Sequence, residues 1–445
     1  MILSQVLASA VGLIDIAMLG RLGPHSLAAV GYVTQFFWLS QAVLMAIGVA
    51  GVALIARSLG ADDAPRARAA LGACLAVAAV VSAAIATVVL SVPRFWLGLL
   101  NASPEVIELA LPYLRLTLLS TLLFAVSITL ECGFRAARDT RTPLVIAIAV
   151  TAVKTLANWL LIFGPFGLPR LGLPGAGIAT ITAQLVAVTL LALANRRLDL
   201  GIALAFSRRE LALARESLRE VVRLATPAML ERLVLNLALM AYFALLADYG
   251  AAIVAAYTVG VRVTSFSWIP GTGFAAAAAT LVGHALGAGA PREATRAGWR
   301  AARLAVGVSI VLGLCVAFAR VPLARVFTDD EGVIEALGPF MLTLALAQPL
   351  MGIHFTLGGA LRGAGDTLSP LLAATAGNWL LRVPLAYAFQ RHGLDVVWIW
   401  LALVFDHLAR ATWMSLAFLR GRWRTRAMAR ATAASPSPAP RRSPS

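Results

Sequence analysis

Nine residues, Arg135-Ala-Ala-Arg-Asp139-Thr-Arg-Thr-Pro143, return as Arg362-Gly-Ala-Gly-Asp366-Thr-Leu-Ser-Pro370, displaced by 227 positions. The same displacement lays Val106-Ile107-Glu108 on Val333-Ile334-Glu335, Leu59-Gly60-Ala61 on Leu286-Gly287-Ala288, Ala28-Ala29 on Ala255-Ala256, and Gly23 on Gly250. Matches in register without a gap mark a duplicated unit. The period is about half the chain, so whatever topology one half adopts, the other must share.

Composition says what that unit is made of. The chain is 60% hydrophobic and only 13% charged, with a mean hydropathy of +0.85. That is too little polar surface to coat a soluble domain. Apolar stretches of about 20 residues recur, the length that crosses a bilayer as a helix. The alternation expected of a transmembrane barrel is absent. The reading is an all-α polytopic membrane protein.

A net charge of +16 raises the question of nucleic acid. The arginines, however, cluster between alternate apolar stretches: Arg57/Arg66/Arg68, Arg135/Arg138/Arg141, Arg196 to Arg223, Arg292/Arg296/Arg300 and Arg420 to Arg430. That is the positive-inside pattern, and no nucleic-acid partner is expected. Cys74, Cys132 and Cys315 lie in apolar stretches without metal-ligand or disulfide spacing and read as packing residues. No metal and no cofactor is expected. The first apolar segment lacks a basic leader and runs on into a span, so no cleavable signal is read there.

Twelve spans are expected, at roughly 1–21, 28–56, 69–91, 113–134, 143–164, 175–195, 224–247, 252–283, 300–320, 338–361, 369–390 and 396–420. Residues 1–195 and 224–423 form two six-helix bundles, joined by a basic cytoplasmic linker over 196–223. An even number of spans inserts both halves in the same orientation, giving parallel repeats with a substrate site at their interface. Placing the arginine loops inside puts both termini in the cytoplasm of a cell that carries the protein in its plasma (inner) membrane. The Ala/Ser/Pro tail over 424–445 cannot bury a core and is expected to be disordered. Pro227 opens the seventh span, and its equivalent would fall just before Met1. Either the first span is trimmed or the true start lies upstream.

The chain resembles the multidrug and toxic compound extrusion (MATE) family of secondary transporters. The residues that carry the resemblance are Asp15-Ile-Ala-Met-Leu-Gly-Arg-Leu-Gly23 with Leu27-Ala-Ala-Val-Gly31, and Pro227-Ala-Met-Leu-Glu231. Pro270 to Gly283, Leu286-Gly-Ala288 and Leu361-Arg-Gly-Ala-Gly-Asp-Thr367 complete them. The resemblance implies two bundles in a V around a central cavity, exporting small organic and often cationic compounds against proton or sodium entry. A monomer is expected to suffice.

Ion coupling needs a group in the membrane whose charge state changes, and intramembrane ionisable residues are costly enough to be functional candidates by default. Asp15 lies about eight residues before the outer end of the first span, roughly 12 Å deep. The resemblance assigns its position to the cation site of the first half. Lys154 is the only lysine among 37 basic residues and sits in mid-span, where it cannot easily snorkel. Thr151, Lys154 and Asn158 share a helix face. Many relatives carry Asn and Asp or Asn at the positions of Lys154 and Asn158, so the lysine departs from the sodium-type pattern. Two readings of Asp15 and Lys154 stand: an ion pair that proton binding breaks, and a permanent bridge. Thr180 and Gln184 are candidate neighbours.

In the second half, Glu231 and His354 are candidates for a substrate or second proton site, each against a plain packing role. The acidic residue that some relatives carry near Met351 is missing, which argues against a second-half sodium site. Asp406 and Arg410, four apart on one helix, read as a structural bridge. Arg135, Asp139, Arg362 and Asp366 are candidate loop hinges, the aspartates capping the helices that follow. Trp38, Phe36, Phe37, Phe266 and Trp268 are candidate cavity aromatics. No catalytic residue is expected, because the spans carry no paired carboxylates, metal cluster or nucleophile with a base. The leading reading is a proton-coupled antiporter working by alternating access; the alternative is a flippase for lipid-linked intermediates.

Overall fold

The structure, a computed structural model, describes residues 15, 18–19, 22, 24–99, 103–167, 169–196, 208–327 and 331–427. Most of the first expected span therefore lies outside the described residues, as does the tail beyond 427. The first half contains α1 (Pro24–Gly60), α2 (Ala64–Ser91), the short α3 (Pro93–Leu99), α4 (Pro104–Ala136), α5 (Arg141–Phe163) and α6 (Leu173–Asn195). The second contains α7 (Arg208–Ala247), α8 (Ala251–Gly287), α9 (Pro291–Phe318), α10 (Arg320–Phe327), α11 (Glu331–Gly363), α12 (Leu368–Thr375), α13 (Val383–Arg391) and α14 (Val396–Arg420). No strand occurs among the described residues.

Ten of these helices are long and apolar enough to cross a membrane. The eleventh expected span, 369–390, is not one regular helix: a π-helical segment, Ala376–Arg382, joins α12 to α13. Hydrophobic periodicity cannot show such a one-residue slip of register, and π segments concentrate where side chains must be re-aimed. The linker also differs in character from a plain connector. Its second part is the start of α7, and Val221, Leu224 and Ala225 there pack into the core of α1, α2 and α4.

The duplication is visible bond for bond. Ala137, Arg138 and Asp139 donate their amides to the carbonyls of Gly133, Arg135 and Phe134; Ala364, Gly365 and Asp366 donate to those of Ala360, Arg362 and Leu361. The loops after α1 and α8 repeat each other in the same way. Each loop turns on one left-handed residue, Asp62 (φ 57°) matching Gly289 (φ 69°), and Arg138 (φ 64°) matching Gly365 (φ 79°). Only glycine adopts that region without steric cost.

The two halves meet at the end of the bundles that carries the arginine loops. There Arg57 Nη2 donates to Ala364 O at 2.9 Å and Thr280 Oγ1 to Arg135 O at 3.2 Å, while Val52, Cys132 and Ala279 bury one another. Towards the opposite end the apolar clusters stay within one half: Val33, Leu114 and Ile162 in the first, Phe340, Trp400 and Leu403 in the second. The result is two bundles joined at the base of a V. Because Arg138 holds a left-handed backbone, Arg138→Gly is expected to raise stability by up to about 1 kcal/mol. Gly365→Arg is expected to lower it by about the same or more, so thermal unfolding in detergent should shift in opposite directions for the two variants.

Candidate coupling and substrate site

Asp15, one of the few described residues of the first span, faces α5. Lys154 Nζ donates to its Oδ2 at 2.5 Å and Asn158 Nδ2 to its Oδ1 at 2.7 Å. The ion pair is about four-fifths buried on each side. Two turns of one helix thus fill both carboxylate oxygens, as the shared face of Lys154 and Asn158 requires. Thr180 donates to Ala176 O within α6, and Gln184 accepts from Ser127. The hydrogen bonds these two make lead elsewhere than Asp15.

The chemistry of this triad follows from its burial. With Asp15 ionised the pair is neutral overall. A proton on Asp15 leaves the lysine's charge uncompensated in a medium that solvates it poorly, so the pair must separate or the lysine must give up its own proton. Asn158 suits either state, since its buried Oδ1 has no partner and an amide can donate to a carboxylate or accept from a carboxylic acid.

In the second half Arg362 Nη2 donates to Glu231 Oε1 at 2.5 Å, tying a loop-hinge candidate to a substrate-site candidate. Its equivalent, Arg135, is held at 2.5 Å by Glu131 on its own helix. Asp139 accepts from the amides of Arg141 and Thr142 at 3.0 Å and from the Thr142 hydroxyl at 2.6 Å. Asp366 repeats this with the Ser369 amide and hydroxyl at 3.0 and 2.7 Å. Both aspartates cap the helix that follows.

His354 is not near-isolated on an apolar face. Its Nε2 lies 3.1 Å from His407 Nδ1, which is 3.2 Å from Arg410 Nη2. Arginine only donates, so His407 Nδ1 must accept, and His354 Nε2 must carry the hydrogen. Arg410 also donates to Asp406, which is wholly buried. Arg382, at the end of the π segment, lies over the Tyr242 ring at 4.1 Å. This cationic cluster in the second half is larger than sequence reasoning anticipated. His407 extends the cluster beyond the sequence-based candidates, and its signal in the sequence is an ionisable side chain in mid-span. Of the aromatic candidates, Phe37 packs against Phe124 at 6.0 Å and Trp38 is exposed; the Phe266 side chain lies outside the described residues.

Two apolar helical repeats with a few buried charge clusters define a polytopic membrane protein built by duplication. The chain belongs to the MatE family, whose model matches residues 1–160 and 227–388, one segment in each repeat. It is 28% identical over 434 residues to a probable multidrug resistance protein NorM of Thermotoga maritima, covering 95% of this chain and 90% of that one. A probable multidrug resistance protein NorM of Deinococcus radiodurans is 31% identical over 428 residues, covering 90% and 89%. The fold matches that of the Vibrio cholerae MATE transporter VcmN in its bent form, with a TM-score of 0.84 at 23% identity over 97% and 95% of the two chains.

Slight burial pushes the Asp139 carboxyl up, but the bonds from Thr142 and Arg141 and the Arg141 charge outweigh it and hold it below the usual carboxylate value. Such a group stabilises above its unfolded pKa and loses that contribution as pH falls through its folded value. Asp139→Ala is therefore expected to cost about 1 kcal/mol at neutral pH, with the gap to wild type narrowing below about pH 4, read from thermal unfolding at both pH values. Arg410→Met strands Asp406 and is expected to cost about 3–5 kcal/mol, with Asp406→Asn in the same chain recovering part of it.

Proposed function

We propose that this protein is a proton-coupled antiporter that exports small amphipathic, often cationic, organic compounds by alternating access, working as a monomer in the plasma (inner) membrane with both termini cytoplasmic. The observation that carries this is the Asp15–Lys154–Asn158 triad. One carboxylate, neutralised by the chain's only lysine, is an arrangement whose stable geometry changes when a single proton arrives. Proton binding loosens the first span from α5; proton release restores the pair. The lysine favours protons over sodium, because a second cation would have to displace it.

Substrate is expected between the halves, where the V opens away from the arginine-rich end. Membership of the family and the names of the relatives support multidrug export as the activity. The arginine distribution supports the cytoplasmic placement of that end.

The test is dye-cation transport in proteoliposomes under an imposed proton or an imposed sodium gradient. Wild type is expected to respond to the proton gradient, and Asp15→Asn to fall to background. Lys154→Met is expected to transport, if at all, with a flattened pH dependence. A sodium-driven wild type would overturn the proton reading, and a Lys154→Met variant with unaltered pH dependence would show that the bridge is permanent. Substrate gradients indifferent to both ions would favour the lipid-flippase alternative.

A further inference from the structure

The base of the V is built from contacts that occur twice. Arg57 and His284 are equivalent residues of the two repeats, 227 positions apart. Arg57 Nη2 donates to Ala364 O at 2.9 Å, and His284 Nε2 contacts Ala136 O at 2.5 Å. A carbonyl only accepts, so that imidazole nitrogen carries a hydrogen. Ala364 and Ala136 close α11 and α4, themselves equivalent helices, with the two acceptors one residue apart in the repeat register.

The backbones cross in the same reciprocal way. A Cβ added at Gly60 would overlap the carbonyl of His284, and one added at Gly287 would overlap the carbonyl of Arg57. Ala56 and its equivalent Gly283 face each other on the pseudo-twofold axis, where a Cβ at Gly283 would meet that of Ala56 at 3.0 Å. This is an isologous contact, of the kind that joins two subunits of a dimer, made here within one chain.

Terminal carbonyls of a helix have no partner within it and carry the negative end of its dipole. Each half thus lends the other a donor for the last turn of a helix. Separating α1 from α8 withdraws both donors together, since each sits within one turn of the glycine on which the backbones cross.

We infer that Arg57 and His284 are a matched pair of positioning residues that hold the arginine-rich end of the transporter shut by capping helix ends across the halves, and that they release as a unit when that end opens. This rests on the alternating-access reading. It accounts for the glycines at 60 and 287, which permit the crossing, and for a donor at the same place in both repeats.

The test is the distance distribution between nitroxides on Arg141→Cys and Arg292→Cys, two exposed sites at that end, one in each half. The background carries Cys315→Ser, since Cys74 and Cys132 are buried. Wild type is expected to show a short and a long population as pH and dye substrate vary. Arg57→Leu or His284→Leu should each shift the closed-to-open ratio about tenfold towards open, with the two shifts multiplying in the double variant because one opening breaks both contacts. His284→Gln and Arg57→Gln, which keep a donor and disturb packing less, should retain most of the closed population. Both populations present but unmoved by the leucine and glutamine variants would reduce the pair to packing and overturn the inference, leaving alternating access standing. A third, intermediate distance populated by a single leucine variant and not by wild type would overturn the release as a unit. A single unchanging distance in wild type would remove alternating access itself, and the latch with it.

Discussion

A hydrocarbon interior offers a peptide group nothing to hydrogen-bond, so every backbone donor and acceptor within it must be answered by the protein. That constraint makes the chain helical and concentrates the remaining polar contacts in a few places. It also makes those places easy to recognise, because a charge that serves no purpose in mid-span is expensive to keep. Among the described residues, three sets stand out: the triad on Asp15, the Glu231–Arg362 pair, and the Asp406–Arg410–His407–His354 chain beside Arg382. The repeats share a scaffold and differ in these sets.

That difference bears on how the halves divide their work. In the first half, one carboxylate and one ammonium cancel, leaving an Asn158 oxygen unpaired. A single proton upsets this balance. In the second half, His354 and His407 are arranged by Arg410, with Arg382 close by on the π segment. A proton added to His407 Nδ1 would set three donors against one another. On the proposed coupling, the first half supplies the proton acceptor, and the second is better suited to a fixed internal frame.

Much of this was legible in the sequence, for physical reasons that differ by feature. The repeat of Arg135–Pro143 in Arg362–Pro370 foretold equivalent loops, because a turn that needs one left-handed residue and one capping aspartate leaves a pattern of its own. Lys154 and Asn158 could be placed together on one face because helical spacing is fixed. Their meeting with Asp15, 139 residues away, could be guessed only from the scarcity of charge. The pairing of Glu231 with Arg362 was not legible, since two helices of unknown rotation lie between sequence and contact. Nor was the π segment, where the hydrophobic pattern of 369–390 persists while the register slips. The helical start of α7 had a signal in the mixed charged and apolar run from Arg208 to Arg223, which a polar-linker reading passed over.

The proposed coupling requires that a proton on the first span be connected to an opening between the halves some distance away. The structure offers a mechanical route that does not need a chain of polar contacts. Leu19, one turn beyond Asp15, belongs to the same apolar cluster as Val33 of α1, and α1 ends at the crossing where Gly60 meets His284. A helix close-packed along its length moves more readily as a body than by bending in small increments. Loosening the Asp15 pair would thus be felt at the far end of α1 as a change in how its backbone sits against α8. Because the contact there is reciprocal, a displacement that disturbs Arg57 also disturbs His284. The duplicated architecture turns a one-sided signal, arising in a single half, into a symmetric change at the axis that both halves share.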